Sequence, residues 1–84
     1  AAVDLRASRA AVEEARAREL VGRSVRSQAL EGQRITRNRY EAGLAGINDL
    51  LRAANAVLDA DALYTSAVVD LVISSAQLDR ARGR

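Results

Sequence analysis

The side chains able to do chemistry are few in kind. The 84 residues hold thirteen Arg, eleven Asp and Glu, two Tyr (Tyr40 and Tyr64), and no His, Cys, Met, Phe, Trp or Pro. Without His the commonest general base and metal ligand is missing. Without Cys there is neither a thiolate nor a disulfide, and the redox compartment is left undetermined. Carboxylates remain. Acid–base catalysis needs two of them converging on a concave site. Asp59 and Asp61, two residues apart, fall on different faces of any helix. The chain is therefore read as a non-enzyme, with no catalytic residue, no cofactor and no metal site expected. What stands out instead is Arg39-Tyr40-Glu41-Ala42-Gly43-Leu44-Ala45-Gly46-Ile47-Asn48-Asp49-Leu50-Leu51, near the midpoint, where two of the five glycines lie three residues apart.

The elements that position this stretch are legible from composition. Eighteen Ala, with many Leu, Arg and Glu and no Pro, favour long helices over a two-layer globule of the same size. Residues 1–42 carry nine Arg against six acids, net +3, and residues 43–84 four Arg against five acids, net −1. Arg34, Arg37 and Arg39 form the one local basic cluster. With no interleaved aromatics for base stacking, nucleic-acid binding is disfavoured. The most apolar run, Ala67 to Ile73, contains Asp70 and is far shorter than the ~20 residues of a membrane span. No secretory segment is seen. The chain reads as soluble, or as cut from something larger.

Residues 3 to about 41 read as one helix. Small residues recur every seven positions at Ala1, Ser8, Ala15, Gly22 and Ala29. Leu5 and Val12 add a second row, Val21 and Ile35 a third. Such a stripe lets a neighbouring helix approach closely. Glu14–Arg18 and Glu19–Arg23 are i,i+4 pairs in the favourable order. Gly22 and Gly32 each cost about 1 kcal/mol relative to Ala. Close packing is the preferred reason for them, a soft point for bending the other. Gly43 is placed to take the left-handed conformation that ends a helix, with Leu44 folding back over the last turn. Gly46 or Asn48 is placed to cap the next helix, and Asp49 suits the positive end of its dipole. A turn over about 42–46 forces the two helices antiparallel. The second helix, 47 to about 81, has the stronger pattern. Leu50, Val57, Tyr64, Leu71 and Leu78 are spaced by seven. So are Leu44, Leu51, Leu58, Thr65 and Val72, one position round. Ile47, Ala54, Val68 and Ser75 make a third row broken by Asp61. The fold class expected is all-α: a long antiparallel two-helix coiled-coil hairpin with arms of about 60 Å. The apolar surface of the second arm is wider than one partner helix covers.

The turn and second arm resemble the TolC-type outer-membrane efflux proteins, in the periplasmic hairpin of their second repeat. The residues that carry this are Arg39-Tyr40-Glu41-Ala42-Gly43-Leu44-Ala45 at the tip, Asp49-Leu50-Leu51-Arg52-Ala53 beyond it, and Ala81-Arg82-Gly83 at the close. The likeness is specific from about 37 to 60 and compositional before about 30. It implies a fragment of a periplasmic α-barrel, in a homotrimeric channel of a bacterial outer-membrane protein that exports drugs, metals or proteins. An inner-membrane pump is coupled to it indirectly through a periplasmic adaptor protein. It also implies that the adaptor meets the tip at Ala42, Gly43, Leu44 and Ala45. Tyr40 and Asp49 would then lie at the periplasmic entrance. Tyr40 would hold it closed by a hydrogen bond, or simply pack on Leu44 or Leu50. Asp49 would form a ring of carboxylates that favours cations, or serve only the helix dipole. This chain departs from the family in two places. Arg52 stands where a second acid is frequent, and Gly46 where a Ser cap is frequent. The rival readings are a generic self-associating coiled-coil module, such as an adaptor hairpin, and a membrane-surface hairpin. The second is disfavoured by the lack of Lys and Trp and by acids along both arms.

Overall fold

Long runs of good helix formers, unbroken by proline, become two helices in the computed structural model of the chain, which describes residues 5–83. Helix α1 spans Leu5–Glu41 and α2 spans Ile47–Ala81. Among the described residues there is no strand. The expected end of the first arm at 41, the turn at 42–46 and the second arm at 47–81 are all observed. The expected start at 3, and Ala1 in the small-residue row, lie outside the described residues. The two helices lie side by side along their length in an elongated body of 63 × 15 × 13 Å. The radius of gyration is 18.6 Å, against about 12 Å for a compact domain of this length.

The seam between the helices is built from small side chains. Val12, Ala15 and Gly22 of α1 and Ala60 and Ala67 of α2 are buried. The row Ser8-Ala15-Gly22-Ala29 faces α2 as expected and continues to Thr36. At Gly22 the backbones come close: a methyl placed there would lie 3.5 Å from the Tyr64 Cα and 3.9 Å from the Ala67 Cβ. On α2 the row Leu50-Val57-Tyr64-Leu71-Leu78 is half-buried throughout and flanks the contact. Its centre is an alanine-rich row, Ala53-Ala60-Ala67-Ser74-Ala81. A tally of large apolar residues overlooks that row. Small residues define the line of closest approach, and larger ones lean over it from the side.

Two of the apolar rows lie outside the seam, in keeping with a surface wider than one partner helix covers. Val21 and Ile35 are exposed, and Leu51, Leu58 and Val72 face away from α1 with Leu58 65% exposed. A helix offers one partner only about two of its seven heptad positions, so once the alanine row takes the contact the Leu51 row is left outside.

Candidate functional site

The tip is built by the glycines at its two ends. Gly43 has φ of 77°, the left-handed region that a Cβ disfavours. Leu44 N–H donates to the Arg39 carbonyl at 2.7 Å and Gly43 N–H to the Tyr40 carbonyl at 3.0 Å. This is the Schellman pattern of helix termination, and it satisfies carbonyls that α1 leaves unpaired. Gly46 is the N-cap of α2 in extended backbone, and its N–H donates to the Asp49 carboxylate at 3.1 Å. Only half of a capping box is possible, because Gly46 has no side chain to return the bond. Asn48 lies within α2 and is not the cap.

Of the four tip residues, Ala42, Gly43 and Leu44 are exposed and Ala45 is half-buried. Leu44 does not fold away over the last turn of α1 as expected. It is 69% exposed, at the mouth of a shallow groove it shares with Ile35, Arg39 and Asp49. The Schellman bonds fix the backbone of Leu44 but give its side chain no apolar pocket to enter.

Tyr40 is 41% exposed at the last turn of α1, and its hydroxyl has no hydrogen-bond partner among the described residues. Asp49 is engaged twice, by the Gly46 N–H and by Arg52 at 3.9 Å. The tip thus brings Tyr40, Gly43, Leu44 and Asp49 to one end of the molecule. It assembles no group of acids there: among the described residues no cluster of three or more metal-binding side chains occurs.

A second polar constellation lies at mid-length and was not anticipated as a unit. Glu19 is 8% exposed and is held by Arg23, with Nε to Oε2 at 3.1 Å and Nη2 to Oε1 at 2.6 Å. This pair follows from the i,i+4 spacing. The Glu14–Arg18 pair expected on the same grounds is not formed among the described residues. The Arg23 guanidinium is held more firmly protonated, first by its hydrogen bond to Glu19, with the Tyr64 hydroxyl adding to it. Arg26 reaches across to Asp61 and lies 5.7 Å over the Tyr64 ring. The sequence signal was the row that begins with Val12 and continues every seven residues through Glu19, Arg26 and Gln33. Of its polar members Arg26 fastens α1 to α2, and Glu19 is tied within α1. Farther along, Arg34 holds Glu31 from three residues away and lowers the Glu31 carboxyl pKa through that hydrogen bond.

No helix among the described residues is long and apolar enough to cross a membrane. Comparison with protein-family profiles, with curated proteins and with solved structures finds no match. The class defined by the coordinates is an all-α antiparallel helical hairpin with an exposed glycine-leucine tip.

Proposed function

We propose that this hairpin is the periplasmic helical hairpin of a TolC-type efflux channel and that its tip docks a periplasmic adaptor protein. The observation that carries the reading is the tip itself. The Arg39-Tyr40-x-x-Gly43-Leu44-Ala45 stretch stands at one end of a body 63 Å long, closed by Gly43 with Leu44 held outward. Small residues at 42, 43 and 45 let another backbone approach, and Leu44 supplies an apolar knob for a partner helix pair. The outward row Leu51-Leu58-Val72 supports the trimeric α-barrel in this reading, since a helix with apolar rows on two sides suits packing between two neighbours.

In the assembled trimer Tyr40 is the entrance residue free to bond to another helix. Asp49 contributes a charge screened by Arg52 rather than a bare carboxylate, and it serves mainly as the cap of α2. The hairpin does no covalent chemistry. The substrate exported is chosen elsewhere in the assembly.

The test is photo-cross-linking from position 44 of the channel protein carrying this hairpin, in its own cell envelope. Capture of a periplasmic adaptor is the expected result. Capture of neighbouring copies alone, with an adaptor present, refutes docking at the tip and leaves Gly43-Leu44 as turn chemistry.

A further inference from the structure

One flank of the hairpin carries an arrangement that runs from mid-length down to the groove beside the tip. Between α1 and α2 on that side run two shallow grooves. The first is bounded by Arg18 and Val21 of α1 and by Leu63 and Asp70 of α2. The second, nearer the tip, is bounded by Ile35 and Arg39 on one helix and by Asp49 and Ala56 on the other. At the first groove the rim is basic on α1 and acidic on α2; at the second, Arg52 stands beside Asp49 on α2 and offsets its charge. Within the hairpin these rims stay apart: Arg18, Arg39 and Asp70 form no ion pair among the described residues. Between the rims the surface is apolar and open, with Val21 62% and Leu63 57% exposed.

We propose that this flank is an interface with a second copy of the same chain, packed side by side with both tips pointing the same way. A two-fold axis parallel to the long dimension sets α1 of one copy against α2 of the other. Each Arg18 then meets the partner's Asp70 at its own level. Every such pair forms twice, as an isologous contact requires. Reversing one copy end for end sets α1 against α1, so Arg18 faces the partner's basic rim, and the charges select the parallel arrangement. Val21 and Leu63 of the two copies close over one another beside that charged level. The product is a four-helix bundle with antiparallel neighbours throughout.

The hairpin as a whole exposes more surface than a compact chain of its mass. The chain exposes 6175 Å², whereas a compact monomer of 9.0 kDa exposes about 4,900 Å². The excess, about 1,300 Å², exceeds the ~800 Å² that each partner buries in a standard interface. This inference is independent of the channel reading, because it concerns the hairpin with itself.

The experiment uses charge reversal in the 84-residue chain. Sedimentation equilibrium should show a dimer at about 100 μM. Arg18→Asp places acid against acid in the homodimer, and Asp70→Arg places base against base. Each should weaken self-association by about tenfold or more. The decisive sample is the equimolar mixture of the two variants. One chain then presents acids at both 18 and 70 and the other Arg at both, so a heterodimer recovers every pair and should restore the parental affinity. Circular dichroism checks that each variant keeps its helix. Ala45→Cys adds one thiol to a chain that has none among its described residues. Spin labels on it should lie within about 30 Å of each other, since neighbouring helices sit 8–10 Å apart. A monomer at that concentration, an oligomer indifferent to either reversal, a mixture that stays dissociated, or tips separated by the 63 Å body length would each overturn the proposal.

Discussion

Replacing Gly22 by Ala should make the hairpin more stable, although Gly22 sits at the closest approach of the two helices. The added methyl would meet the Tyr64 Cα and Cδ1 at 3.5 Å and the Ala67 Cβ at 3.9 Å. These are ordinary van der Waals contacts, so nothing has to move. Two gains follow. A glycine in a helix interior costs about 1 kcal/mol relative to Ala, and burying one methyl contributes up to about 0.8 kcal/mol. The sum, about 1–2 kcal/mol, corresponds to a rise in Tm of roughly 4–14 °C for a chain of this size. Gly32→Ala is the control. It is also helical, but nothing lies within 4 Å of its added methyl, so it should yield only the first gain, about 1 kcal/mol. Thermal melts by circular dichroism, at one fixed concentration because association shifts apparent stability, measure both. A Gly22→Ala chain that melts below the parent, or no higher than Gly32→Ala, refutes the reasoning. It would mean the helices lie closer at residue 22 than the 3.5 Å contacts allow, or meet along another row.

Gly43→Ala acts in the opposite direction. A φ of 77° costs an L-residue about 1–2 kcal/mol, so the same melts should show a fall in Tm with helix content unchanged below the transition. Leu44→Asp should leave the melt close to that of the parent, because the side chain is 69% exposed, while abolishing adaptor capture by a photo-reactive residue placed at the neighbouring position 42; unchanged capture refutes the docking surface. The Glu31 carboxyl should titrate below the usual Glu range, because Arg34 donates to its charged form. A depressed folded value stabilises the hairpin above the ordinary value of 4.5 and loses that contribution as pH falls through the folded one. NMR titration of the side chain should show the shift, and Arg34→Gln should remove it; a normal midpoint in the parent overturns the pair.

Local chemistry was enough to read the hairpin and its turn. Gly43 needs a left-handed backbone wherever α1 ends, and Asp49 suits the first turn of any helix, so both roles follow from a few neighbouring residues. The seven-residue spacing of Leu50, Val57, Tyr64, Leu71 and Leu78 likewise requires only that helical geometry persist. Which apolar row becomes the seam is a different kind of question. Leu51, Leu58 and Val72 have the same period and comparable bulk, yet they face outward. The choice went to Ala53, Ala60 and Ala67 because the small row of α1, Ala15 and Gly22, lets the backbones draw together only against another small row. That selection is made by the fit of two surfaces, which neither helix contains alone. The same holds for the bond from Arg26 to Asp61 across the hairpin and for the placing of Arg18 and Asp70 on opposite rims of one flank. Periodicity along a chain fixes where each side chain lies around its own helix. Only the rotation and height of one helix against the other decide what it faces.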